Sequence, residues 1–139
     1  MAMIISKNVE NGIAGIHIMC PCSKMKKRNS FVIGKYKVIT LCGSTRFKDA
    51  FIEAQKQLTL EGNIVISVGL FGHSGDNEVW REGTKEMLDD MHLRKIDMAD
   101  EVFVINVDGY IGSSTKKEIE YAVSTGKVVK YLEQINALV

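Results

Sequence analysis

The amino-acid sequence predicts an α/β fold: an open parallel sheet in the order 2-1-3-4, with an extra edge strand available near the N-terminus and helices on both faces. Three observations carry this. Apolar, β-branched runs within 37–41, 63–70, 102–107 and 128–132 are separated by stretches with helical periodicity. The third run, Val102-Phe-Val-Ile105, has no polar alternation, as expected of a strand buried on both faces. Two of the runs lead through small-residue turns into helices, which is how a crevice forms at the end of a parallel sheet where strand order reverses.

Residues 1–35 read as a leader before a domain over 36–139. In the leader, Ile13-Ala-Gly-Ile-His-Ile-Met-Cys20 suits a short strand, but Asn11-Gly12, Pro21 and the basic run Lys24-Met-Lys-Lys-Arg28 interrupt anything longer. It fits an extra edge strand, a dimer arm or a poorly ordered segment. Lys37 to Leu41 forms the first strand and Cys42-Gly-Ser-Thr45 its turn. Phe47, Phe51, Ala54 and Leu58 recur with helical spacing over 47–61, and Gly62 supplies the stop. Ile64, Val65, Ile66 and Val68 mark the second strand, followed by a polar, glycine-rich loop, Phe71-Gly-His-Ser-Gly-Asp-Asn77. One long helix is expected over 78–98, with Trp80, Met87, Met91 and Ile96 among its apolar positions. The third strand spans 102–107, the third helix 115–124 with Gly126 as its stop, and the fourth strand 128–132.

At 139 residues the chain can hold one substantial core. Its formal charge of +1 points away from nucleic acid or an anionic membrane as the main partner, so any anion recognition should be local. No apolar run approaches the roughly 18 residues of a membrane span. Lys7, Asn8, Glu10 and Asn11 break up any secretory signal, and a cytoplasmic protein is expected. Cys20, Cys22 and Cys42 lack disulfide-framework spacing and fit a reducing compartment as free thiols. A metal site at Cys20-Pro-Cys22 with His17 is the weaker reading, because structural zinc takes a fuller ligand set.

The two turns put the backbone N–H groups of helix starts where a phosphate or sugar can sit: Gly43, Ser44, Thr45 and Arg46 at one, Gly112, Ser113 and Ser114 at the other. Arg46 can grip a phosphate bidentately, whereas a cation in a first helical turn is otherwise slightly misplaced. The serines can bind an anion, cap the helix, or do both. Glu118, expected in the first turn of the third helix, can act as a nucleophile kept ionised by the helix dipole, or merely close a capping box Thr115-x-x-Glu118. Helical phase does not separate it from Glu120; proximity to the turn favours Glu118. His92 and Asp89, on one helical face, are alternative groups for meeting a base or moving a proton, and a half-buried surface histidine is the plain reading of His92. Asp97 and Asp100 read as helix-to-strand junction residues, His73 as a solvated loop residue, and Trp80 as core rather than a stacking platform.

As a set, Leu41-Cys-Gly-Ser-Thr-Arg46, Ala99-Asp100 and Glu118-Ile-Glu-Tyr-Ala122 with Gly126-Lys127 resemble the nucleoside 2-deoxyribosyltransferase family and its relatives, the N-glycosidases of deoxynucleoside 5′-monophosphates. The likeness spans 37–133 and excludes the leader. It implies a flavodoxin-like (Rossmann-like) sheet, no metal, no cofactor, and a homo-oligomer whose subunits complete one another's sites. It also implies a glutamate nucleophile, here Glu118, that attacks the anomeric carbon of a 2-deoxyribosyl group and displaces the base before a second base or water completes the reaction. The phosphate-holding turns of the N-glycosidase branch fall on Gly43, Ser44, Thr45, Arg46, Ser113 and Ser114, and the Gly-Ser-x-Arg form is closer to that branch. Three positions depart from the family pattern. His92 stands where members carry a base-contacting aspartate, with Asp89 on the same helical face able to substitute; Thr40 replaces a tyrosine of some members; Gly112 replaces an acidic residue of the transferases. These departures bear on base specificity and on transfer rather than on the nucleophile.

The expected function is therefore cleavage or transfer of the N-glycosidic bond of 2′-deoxynucleosides or, preferentially, their 5′-monophosphates. The partner is a small molecule, not nucleic acid or membrane. A catalytically inactive nucleotide-binding sensor using the same crevice is the alternative, and an interaction module acting through the leader is a third reading.

Overall fold

The computed structural model describes residues 34–135. Contacts divide the chain into Met1–Lys35 and Tyr36–Val139. The expected N-terminal strand, the Cys20-Pro-Cys22 motif and the basic run lie outside the described residues.

Four strands, β1 (Val38–Gly43), β2 (Ile64–Ile66), β3 (Glu101–Ile105) and β4 (Val128–Tyr131), pair in parallel in the order β2-β1-β3-β4. Helices α1 (Lys48–Leu60), α2 (Thr84–Asp97) and α3 (Ser113–Ser124) form the crossovers. The alternation of side chains along β1 divides the core in two. Ile39 and Leu41 pack with Phe51 and Ala54 of α1 and with Ile105. Cys42 faces the other way, with Ile96 of α2, Ala122 of α3, Val102 and Val104. Thr40 lies on this second face too, its hydroxyl donating to the Lys95 carbonyl at 2.9 Å. Helices therefore cover both faces, and the unbroken apolar run of β3 is explained by burial on both sides.

Three elements differ from their sequence-based expectation. The long helix over 78–98 is two pieces: a 3₁₀ turn at Asn77–Trp80, extended backbone at Arg81, and α2 starting after Gly83, which sits at φ 80°. Apolar spacing alone does not register that break, because Trp80 and Met87 keep the helical period across it. The second strand shrinks to Ile64–Ile66, since β1 offers partners only from Val38 to Thr40 and the chain then leaves the sheet. The third helix begins at Ser113 rather than Thr115. Among the described residues, no helix is long and apolar enough to cross a membrane.

Beyond β3 the ladder is continued by a side chain. Asn106, almost fully buried, donates through Nδ2 to the Glu133 carbonyl at 3.0 Å and accepts from the Glu133 N–H at 2.8 Å. That two-bond clip fixes where the loop toward α3 departs.

Candidate active site

The chain builds out from β1 to β2 on one side and returns to β3 on the other, so the loops after β1 and β3 leave neighbouring strand ends toward opposite faces. This is the switch point at which open α/β sheets form crevices. Gly43 pairs with Ile105 there. A Cβ on Gly43 would lie 2.8 Å from the Ile105 carbonyl oxygen and 2.9 Å from its Cβ, so only glycine lets the two strand ends approach this closely.

A cavity of about 320 Å³ opens at this point, within the range of small-molecule sites. Gly43, Ser44, Thr45 and Arg46 line one side, and Gly112, Ser113 and Ser114 another. Glu118 is at its floor, and Asp89 and His92 on α2 face it as well. The residues proposed from sequence as the catalytic and anion-binding set thus line one cavity.

The corner after β1 is cross-braced. The Thr45 hydroxyl meets His73 Nδ1 at 2.9 Å and accepts from the His73 N–H at 3.2 Å, while Ser74 Oγ donates to the Thr45 carbonyl at 2.8 Å. The loop after β2 is therefore latched to this turn rather than simply solvated. His73 packs edge-on against Trp80, ring centroids 5.3 Å apart. Trp80 is half exposed and lines the cavity, which corrects its expected place in the core. The break before α2 is the reason: it turns the indole out of the helix's buried face.

Arg46 lies over the Tyr110 ring at 4.5 Å and forms no salt bridge among the described residues, so its guanidinium edges are free for an anion. Across the cavity, α3 starts with Gly112 as N-cap and no side-chain cap, leaving the first N–H groups of the helix without intrahelical partners. The Lys116 N–H already bonds the Gly112 carbonyl at 2.9 Å.

Because α3 starts at Ser113, Glu118 falls in its second turn and no acidic residue occupies the first. The capping box Thr115-x-x-Glu118 does not form; Thr115 is buried inside the helix. Glu118 points instead at Cys42 and His92. Its Oε1 is 3.9 Å from His92 Nε2, and that nitrogen is 3.3 Å from the Cys42 sulfur. Burial pushes the Glu118 carboxyl up to about 7, with the Asp89 charge adding to the rise and a hydrogen bond from Cys42 opposing it. The helix-dipole ionisation expected from a first-turn position is thus outweighed by desolvation. Burial also pulls His92 down to about 4, helped by the nearby Lys95 charge. The Cys42 thiol is raised well above its ordinary range, first by burial and then by the Glu118 charge. His92 is therefore a buried neutral imidazole rather than a half-buried surface residue, and it cannot deliver a proton as imidazolium near neutrality.

Asp89 sits at the exposed rim, bound by Lys85 Nζ at 3.0 and 2.8 Å. The two candidates on this helical face thus differ in place: His92 lies beside Glu118 and Asp89 at the cavity rim. Asp100 accepts from the Val38 N–H at 2.9 Å and Asp97 from the Tyr121 hydroxyl at 2.6 Å, so both hold the helix-to-strand junction.

Several residues at the site carry no warning of it in the sequence. Cys42, fully buried beneath the cavity, reads as the last inward residue of β1, and Tyr110 and Lys85, which line the cavity, belong to no motif. Only the fold joins them. Cys42, His92 and Glu118 are also residue types that bind transition metals. No protein-family model and no curated protein matches the chain.

Proposed function

We propose that the protein cleaves or transfers the N-glycosidic bond of a 2′-deoxynucleoside 5′-monophosphate or, less well, of the nucleoside, with Glu118 as nucleophile. The observation that carries this is the position of the Glu118 carboxyl at the floor of a cavity whose opposite corners, Gly43 to Arg46 and Gly112 to Ser114, both present anion-binding groups. The resemblance to the nucleoside 2-deoxyribosyltransferase family supplies the reaction class. In it, an ionised Glu118 oxygen bonds to the anomeric carbon as the carbon–nitrogen bond breaks. The base leaves with the bonding pair and takes up a proton from solvent. Water or a second base then attacks the same carbon, gives up its proton to solvent and releases the carboxylate.

Arg46 and the N-terminus of α3 hold the 5′-phosphate in this reading. Trp80 offers a face for the base, and Asp89 accepts hydrogen bonds from its edge. With its imidazole pulled down to about 4, His92 is not the group that protonates the leaving base in this reading; it packs beside Glu118 at 3.9 Å.

The measurement that tests this is chromatographic detection of free base from a panel of deoxynucleoside monophosphates, ribonucleotides and deoxynucleosides, with wild type and Glu118→Ala in parallel. Release by wild type alone supports the reading. One feature favours a second reading, a nucleotide sensor without turnover: burial raises the Glu118 carboxyl to about 7, and a protonated carboxyl is no nucleophile. A sensor would be stabilised by the same nucleotides and release no base.

A further inference from the structure

We propose that Cys42, His92 and Glu118 are the three protein ligands of a zinc-type divalent metal ion, bound at the cavity floor with its fourth position open to the cavity. The three donor atoms lie within 4.8 Å of one another and come from three different regular elements, the end of β1, the middle of α2 and the second turn of α3. Zinc binds thiolate at about 2.3 Å and imidazole or carboxylate at about 2.0–2.2 Å, so a tetrahedral site places its donor atoms about 3.4–3.6 Å apart. The Cys42–His92 separation of 3.3 Å and the His92–Glu118 separation of 3.9 Å bracket that spacing.

The chemistry of the set agrees. A thiolate, a neutral imidazole and a carboxylate suit a borderline-soft ion rather than magnesium or calcium, which take oxygen ligands. Their two negative charges cancel a dication, so the buried assembly is neutral, and binding releases to solvent the thiol proton and, where Glu118 carries one, its carboxyl proton. Three ligands with an open side is the pattern of an accessible site rather than of a closed structural one. If Glu118 is the nucleophile proposed above, the metal ties up its carboxylate and acts as an inhibitor. That consequence rests on the glycosidase reading; the binding itself does not.

The test uses the full chain stripped with EDTA, titrated with Zn²⁺ by competition against a chromophoric chelator and with Co²⁺ by absorbance. One ion per chain and a thiolate-to-cobalt charge-transfer band are expected. Cys42→Ser should abolish the band and weaken Zn²⁺ at least about 100-fold, and Glu118→Gln, at a less buried position, should weaken it while keeping the fold as read by circular dichroism. The paired variant Cys20→Ser, Cys22→Ser should leave the band intact. No band in wild type, or a band that survives Cys42→Ser, overturns the proposal. Base release in EDTA that falls on adding Zn²⁺ and recovers with chelator extends the proposal to inhibition. No base release under any condition removes the glycosidase reading alone, since the spectral readout does not depend on turnover.

Discussion

His92 Nε2 and Glu118 Oε1 stand 3.9 Å apart, within ion-pair distance, yet at no pH are both groups predominantly charged. The carboxyl is mostly protonated below about 7 and the imidazole mostly neutral above about 4. The contact is therefore not a salt bridge. Both groups sit in a pocket floor that disfavours charge of either sign, and each links folding to protons in the opposite sense.

That opposition predicts an unusual stability profile in EDTA. Glu118 keeps a proton in the folded state from about 4.5 to 7, so its contribution falls as pH rises through that window. His92 takes up its proton first in the unfolded chain, so its contribution falls as pH drops from 6.5 toward about 4. Each amounts to about 3 kcal/mol at most, and between 4.5 and 6.5 they offset each other. Glu118→Gln should expose the histidine's acid lability and be more stable than wild type by about 1–3 kcal/mol at about pH 8. Urea denaturation across pH checks both. A Glu118→Gln profile parallel to wild type would contradict the argument.

For the reaction itself, the ionised carboxylate is the active form. kcat/KM for base release from metal-free enzyme should rise with pH through an apparent pKa of about 7. Glu118→Gln should lower it by about 1,000-fold or more. A rate that falls as pH rises through this range would assign Glu118 to acid catalysis instead.

Arg46 should discriminate between substrates rather than drive the chemistry. Arg46→Ala removes a charge-assisted contact worth about 1.5–3 kcal/mol. KM for a 5′-monophosphate should rise about 10- to 100-fold while that for the deoxynucleoside stays within about twofold. Equal effects on both would place the phosphate elsewhere.

Two glycines that look alike in sequence should behave differently. Gly43→Ala forces a Cβ to 2.8 Å from a backbone oxygen that cannot step aside, and should cost about 1–3 kcal/mol or more. At Gly112 the nearest atom is the Tyr110 hydroxyl at 3.3 Å, the far end of a side chain that can shift, and Gly112→Ala should cost less, about 0.5–1 kcal/mol for placing alanine at the N-cap of α3. Thermal unfolding of the two variants side by side checks the ranking.

The architecture was largely legible because its signals are local. Ile39 and Leu41 alternate with Thr40 and Cys42, Phe51 and Ala54 keep the helical period, and the β3 run has no polar break. The two turns that line the cavity were legible for the same reason. What escaped depends on exact phase or on distant partners. Two residues' difference in where α3 starts moves Glu118 from the dipole's reach into a desolvated floor and reverses its expected protonation. The break at Gly83 converts Trp80 from a core residue into a cavity wall. Cys42 gains its neighbours only when α2 and α3 are laid on the same face of the sheet, and no motif within β1 announces that.

The contact between Gly43 and Ile105 acts as a ruler. It joins the two corners through main chain alone, at a separation set by strand spacing and not by any replaceable side chain. The reach between the anion-binding turn after β1 and the start of α3 is consequently a constant of the scaffold. Side chains on either turn can be exchanged to change what is held, but a ligand of different length has to be accommodated at the far wall, along the Lys85, Asp89 and Met91 stretch of α2.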